Sequence, residues 1–89
     1  MSKRQEKTVQ VRNLLGLHLR AAGALTQTAC RYMSSIYLYR DGMQADAKSI
    51  MSLLSLAAAH GVELRVEAEG EDAAEAIEAI IILLEKESD

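Results

Sequence analysis

Apolar and polar positions change period several times along the chain, and each change marks an expected element. Residues 8-TVQVR-12 alternate and are β-branched, which predicts a strand. The run 13-NLLG-16 breaks the alternation and reads as a turn or loop. From His18 to about Met33, Ala22, Leu25, Ala29 and Tyr32 recur at helical spacing. Strand formers return in 35-SIYLYR-40, Asp41-Gly42 is a hairpin signal, and Met43 to Ala47 would be a short return strand. Ser49 is placed to open a second helix, 50-IMSLLSLAAA-59, which His60-Gly61 would close. Residues 62-VELRVEAE-69 alternate strictly, with Val62, Leu64, Val66 and Ala68 on one face and Glu63, Arg65, Glu67 and Glu69 on the other. Gly70 breaks this strand. A third helix is expected over 71-EDAAEAIEAIIILLEK-86, acidic in its first turn and with Lys86 near its end, as the macrodipole favours. Its core face is expected to include Ala74, Ile77, Ile81 and Leu84.

The order β-α-β-β-α-β-α, with one charged strand face and one apolar face, predicts an α+β fold: an open antiparallel sheet with helices on one side. The 89 residues suit one domain spanning 1–89. Half of them are apolar (49%), but three tyrosines are the only aromatics, so aliphatic residues and alanines must fill the core.

Charge and composition exclude several classes. The net charge of −3 argues against an electrostatic nucleic-acid binder. A sheet-type RNA-binding module would need exposed aromatics, and Tyr37 and Tyr39 on one strand face do not make that motif. The single cysteine, Cys30, cannot form an internal disulfide and suggests a reducing compartment. The start MSKRQEK lacks the apolar stretch of a signal peptide, and 79-AIIILL-84 is too short to span a membrane. A soluble cytoplasmic protein without membrane insertion is expected.

Candidate chemistry centres on 16-GLHLRAAG-23, where His18 stands between a turn-forming glycine and an arginine at an expected helix start. The first N–H groups of a helix lack internal partners and, with the dipole, form an anion site. Arg20 adds a planar fork suited to phosphate oxygens. A positive helix end and a guanidinium both disfavour imidazolium, which would leave a nucleophilic lone pair on the ring and stabilise the negative charge arriving with a phosphoryl group. Spacing alone favours a plainer role, in which His18 merely caps the helix or lines the loop.

The second segment, 46-DAKSIMSLLSLAAAHG-61, sharpens this. Ser49 suits an N-cap and also a phosphorylation site, with Lys48 beside it. Leu53, Leu56 and Ala57 form a core face, whereas Ile50, Met51 and Leu54 form a second apolar face that a two-layer fold cannot also bury. With Leu19 beside His18, they predict one docking surface built from the starts of helices 1 and 2 with His18 at its centre.

Residues 16-GLHLRAAGAL-25 resemble the active-centre motif of the HPr phosphocarrier family, usually Gly-(Leu/Ile/Met)-His-Ala-Arg-Pro-Ala, and 47-AKSIMSLLSL-56 resembles that family's second signature around its regulatory serine. The resemblance runs from about Lys7 to Leu84 and includes the element order. It implies an open-faced β-sandwich with sheet order 1-4-2-3. It implies that His18 accepts a phosphoryl group on Nδ1 from phosphorylated Enzyme I, charged by phosphoenolpyruvate, and passes it to a IIA-type domain. Arg20 would stabilise the phosphate, and Ser49 would be the site of HPr kinase/phosphorylase where that enzyme exists. The chain would be a stoichiometric monomeric carrier, not an enzyme, with no cofactor. Three positions depart from the family pattern. Leu19 replaces alanine and adds apolar surface. Ala21 replaces a proline that would pre-set φ in the first helical turn, which tunes transfer rather than abolishing it. Ser52 replaces a common glycine and bears on the kinase's fit. Helix 2 with the following LAAAHG also resembles the nitrogen-related branch of the family.

The remaining candidates read as structural. Cys30 is expected as a small core or boundary residue and His60 as a helix-end residue. His18, Cys30 and His60 contain no ligand pair at recognised spacing, so no metal site is expected. Ile82 and Leu83 would broaden the last helix's buried side or make a weak self-contact. The competing function is a regulatory adaptor that binds partners through helix 2 and responds to Ser49 modification.

Overall fold

A computed structural model describes residues 3–87; Met1, Ser2, Ser88 and Asp89 of the expected 1–89 domain lie outside the described residues. The elements follow the expected order: β1 (Arg4–Gln10), α1 (Leu19–Ala29), β2 (Ser35–Arg40), β3 (Met43–Asp46), α2 (Ile50–Ser55), β4 (Glu63–Glu69) and α3 (Ala73–Leu84). The four strands form one antiparallel sheet in the order β1-β4-β2-β3. β4, whose alternation is the clearest in the chain, lies between β1 and β2 and buries Leu64, Val66 and Ala68. Their inward faces meet Leu25 and Ala29 of α1, Leu53 of α2 and Ile77 and Ile80 of α3 in one core. The alanines Ala22, Ala29, Ala45, Ala47, Ala73 and Ala76 are fully buried and let the helices approach the sheet closely.

The other sheet face is solvated and charged. Arg4 pairs with Glu67 at 2.8 Å, Arg65 pairs with Glu67, and the Arg65 guanidinium lies 4.2 Å from the centroid of the Tyr39 ring. The Arg4–Glu67 pair and the backbone ladder with β4 carry the start of β1 back from Thr8 to Arg4. Residues 4-RQEK-7 carry no apolar alternation, but they pair in register with β4 as far as Arg4↔Glu69, and an exposed charged edge strand also resists association with other edges. β1 ends at Gln10 rather than Arg12.

Several expected boundaries shift, each for a local reason. α1 ends at Ala29, short of Met33, because the Asp72 carboxylate accepts the N–H groups of Met33 (2.8 Å) and Ser34 (2.9 Å) and the Ser34 hydroxyl (2.5 Å). The Ser34 hydroxyl, then the Met33 N–H, holds the Asp72 carboxyl below its ordinary range. Cys30 caps this helix end and is exposed, not a core residue. α3 is shorter than 71–86, and its buried face is Ala73, Ala76, Ile77, Ile80, Ile81 and Leu84. Ala74 is exposed; Ile82 is exposed, and Leu83 packs partly on the core. No helix among the described residues is long and apolar enough to cross a membrane.

The largest correction concerns α2, which ends at Ser55 rather than Ala59. Ala57 adopts a left-handed φ of 49°, which stops the helix and leaves Ala57 itself exposed rather than in the core. His60 therefore lies in an exposed turn beyond the helix, and Gly61, at φ 87°, serves that turn rather than the helix end.

Candidate functional site

The loop that presents His18 is stitched at nearly every residue. Leaving β1, Val11 exchanges backbone bonds with Val62 (2.9 Å) and Gly61 (2.8 Å), and the Arg12 N–H reaches the Leu84 carbonyl at the end of α3 (3.0 Å). Buried Asn13 organises the turn: its Oδ1 accepts the Leu15 N–H at 2.8 Å and its carbonyl the Gly16 N–H at 2.9 Å. Gly16 has φ 72°, and a Cβ there would meet the Ala58 carbonyl oxygen at 2.7 Å. Leu17 is buried and donates its N–H to that oxygen at 2.8 Å.

His18 is the N-cap of α1, in extended conformation at φ −82° and ψ −180°. Its carbonyl accepts the first helical bond from Ala22 at 2.8 Å, and its Nδ1 accepts the Arg20 N–H at 3.2 Å. An accepting Nδ1 carries a lone pair, so the ring proton belongs on Nε2. The half-exposed ring thus turns its unprotonated nitrogen toward the positive helix terminus, with exposed Arg20 beyond it. An electrophile bound at Nδ1 would take the lone pair and release the Arg20 N–H to one of its own oxygens. The capping role and the acceptor role are therefore compatible.

Exposed apolar residues surround this start. Leu19 is 66% exposed, as expected. Leu14 and Leu15, each 74% exposed, were not among the expected docking residues. Their only sequence signal is a pair of leucines in a stretch with neither strand nor helix period.

Ser49 is the N-cap of α2, its Oγ accepting the Ser52 N–H at 3.3 Å. The two helix starts, expected to build one docking surface, lie at opposite ends of the packed pair, because α2 runs antiparallel to α1. At one end Thr26 Oγ1 donates to the Ala47 carbonyl (3.0 Å) and Lys48 Nζ to the Tyr32 carbonyl (2.9 Å); at the other Leu17 meets Ala58. Ser49 thus sits beside the second half of α1, roughly two helical turns or about 12 Å along from His18, and it is the end of α2 that adjoins the histidine. Of the expected docking residues on α2, Met51 is 77% exposed, whereas Ile50 and Leu54 pack partly on the core. Lys48 is half-buried and committed to Tyr32. Among the described residues, no three or more His, Cys, Asp or Glu side chains gather as a metal site.

The family model described as "PTS HPr component phosphorylation site" matches residues 5–86. The chain belongs to the HPr family. It is 44% identical over 82 residues to the HPr-like protein Crh of Halalkalibacterium halodurans, covering 92% of this chain and 98% of that one. It is 40% identical over 79 residues to the phosphocarrier protein HPr of Cupriavidus necator, covering 89% of each. The crystal structure of the phosphocarrier protein HPr from Bacillus anthracis str. Ames has a TM-score of 0.88 at 38% identity, over 91% of this chain and 96% of that one. The sheet order and the open-faced sandwich of the HPr family are those seen here. One HPr and one Crh have been solved as dimers, so HPr membership does not by itself set the expected monomeric state.

Proposed function

We propose that this chain is a phosphoryl carrier of the phosphotransferase system, with His18 as the acceptor. The carrying observation is the Arg20 N–H bonded to His18 Nδ1 at 3.2 Å on the first turn of α1. The Nδ1 lone pair forms an N–P bond as phosphorus parts from phosphorylated Enzyme I, and the electron pair of the broken bond returns to Enzyme I. The Nε2 proton stays on the ring. The Arg20 N–H and guanidinium then face the phosphoryl oxygens, and the same steps in reverse deliver the group to a IIA-type domain. The carrier works as one monomeric domain in the cytoplasm and is regenerated, not consumed. Its output is sugar uptake or, given helix 2 and its LAAAHG continuation, nitrogen-related regulation.

Incubation with Enzyme I and phosphoenolpyruvate, followed by intact mass before and after acid, tests this. One acid-labile phosphoryl group is expected, absent in His18→Ala, retained in Ser49→Ala and formed more slowly in Arg20→Ala. No labile adduct on the unaltered chain would overturn the reading.

A second reading, favoured by half-buried Ser49 as the N-cap of α2 and by the 44% identity to an HPr-like protein Crh, is a regulatory adaptor switched by phosphorylation of Ser49 by HPr kinase/phosphorylase. With HPr kinase/phosphorylase and its phosphoryl donor also supplied, an acid-stable adduct on Ser49 and no acid-labile one would select it.

A further inference from the structure

Arg40, the last residue of β2, keeps 30% of its side chain exposed. Its Nη1 carries two N–H groups and spends them on two carbonyls, Leu56 at 2.8 Å and Ala57 at 2.7 Å. Carbonyls at the end of a helix lack partners within it. A glycine usually takes the left-handed position that follows, but here it is Ala57, at φ 49°, whose Cβ disfavours that conformation. The turn therefore needs support from outside, and the guanidinium supplies it. Asp41 does not compete, being 3.9 Å from Arg40 Nε and exposed.

The next carbonyl along is that of Ala58, which accepts the Leu17 N–H one residue before His18. Gly16 faces the same oxygen, 2.7 Å from where a Cβ would stand, so the position of Ala58 bears on the loop as well. We propose that Arg40 is a positioning residue for His18: it clamps the end of α2 and so fixes the Ala58 carbonyl against which the loop carrying the histidine is set. The consequence for transfer rests on the phosphoryl-carrier reading; the anchoring does not.

Arg40→Met keeps the aliphatic stem and removes the fork. Two readouts are compared with the unaltered chain: hydrogen exchange at the Leu17 amide, with the Val66 amide of β4 as internal reference, and the rate of phosphoryl transfer from phosphorylated Enzyme I. The Leu17 amide is expected to exchange roughly tenfold faster relative to Val66, and transfer to slow about tenfold, as loss of a charged hydrogen bond and of acceptor alignment implies. Adding Ala57→Gly relaxes the turn and should recover part of both. If Arg40→Met does not fold, the same readouts on Arg40→Met/Ala57→Gly are compared with Ala57→Gly alone. Unchanged Leu17 exchange and an unchanged rate, with only a lower melting temperature, would overturn the positioning role. An unaltered chain that takes no phosphoryl group would instead sink the carrier reading, and Leu17 exchange would still decide the anchoring.

Discussion

Leu17 donates its N–H to the Ala58 carbonyl at 2.8 Å, which binds the loop before His18 to the residues after α2. Gly16 is what allows the approach. Gly16→Ala faces both a left-handed backbone and a 2.7 Å contact with that oxygen. It is expected to cost about 1–3 kcal/mol and to slow phosphorylation of His18. Gly61→Ala is the control: φ is 87° but nothing lies within 4 Å of the new Cβ, so it should cost only about 1 kcal/mol and leave the transfer rate nearly unchanged. Urea denaturation and a transfer assay on both variants check this; equal losses in both would mean that the contact with Ala58 carries no weight.

The cap at Ser49 makes a separate prediction. Ser49→Ala removes the acceptor of the Ser52 N–H and should lower stability by about 1 kcal/mol, while Ser49→Asp, which can still cap, should lose less. Because Ser49 lies along α1 from His18 rather than beside it, the acid-labile phosphoryl group should form on both variants. Thermal melts and intact mass separate the two effects.

The fold was legible where local chemistry and tertiary demand agree. The alternation of 62–69 located the strand that turns out to be central, and Asp41-Gly42 located the hairpin, with φ 48° and 84° at its corner. It was not legible where distant residues decide. Arg4–Lys7 are polar in both periods and become a strand only through pairing with β4. Ala57–Ala59 read as helix because alanine favours it, and Arg40, seventeen positions before Ala57, helps hold the turn instead. The placement of Ala74 failed because small residues carry little phase information: Ala73 and Ala76 fit the isoleucine stripe as well as Ala74 does. The sequence offers candidate site residues but not their arrangement, since no local pattern announces that α2 runs antiparallel to α1.

Asp72 gives a pH dependence whose sign is fixed by its hydrogen bonds. Its carboxylate accepts from Ser34 and Met33, so its folded pKa lies below the unfolded value. The stabilisation is therefore complete above the ordinary carboxylate range near pH 4 and fades as pH falls through the lower folded value. Asp72→Asn removes that titration. The gap in urea midpoint between the unaltered chain and Asp72→Asn should be widest at neutral pH and narrow on acidification. A gap that is constant or widens in acid would show that Asp72 adds nothing through its charge.

The antiparallel helices turn the docking question into a choice between one surface and two. Leu19 and Met51 are both largely exposed, so Leu19→Ser and Met51→Ser should each change stability by no more than about 0.5 kcal/mol, whereas Leu54→Ser, partly packed on the core, should cost more. Leu19 adjoins His18, the proposed acceptor, and losing its side chain should weaken the encounter with Enzyme I by about 1 kcal/mol, roughly a fivefold rise in KM with kcat little changed. Met51 lies near the opposite end of α2 from the Ala58 contact and should matter less for that encounter. Steady-state transfer kinetics with varied Enzyme I check the difference. Equal effects of the two substitutions would mean that the partner covers the whole length of α2, making a single surface despite the antiparallel packing.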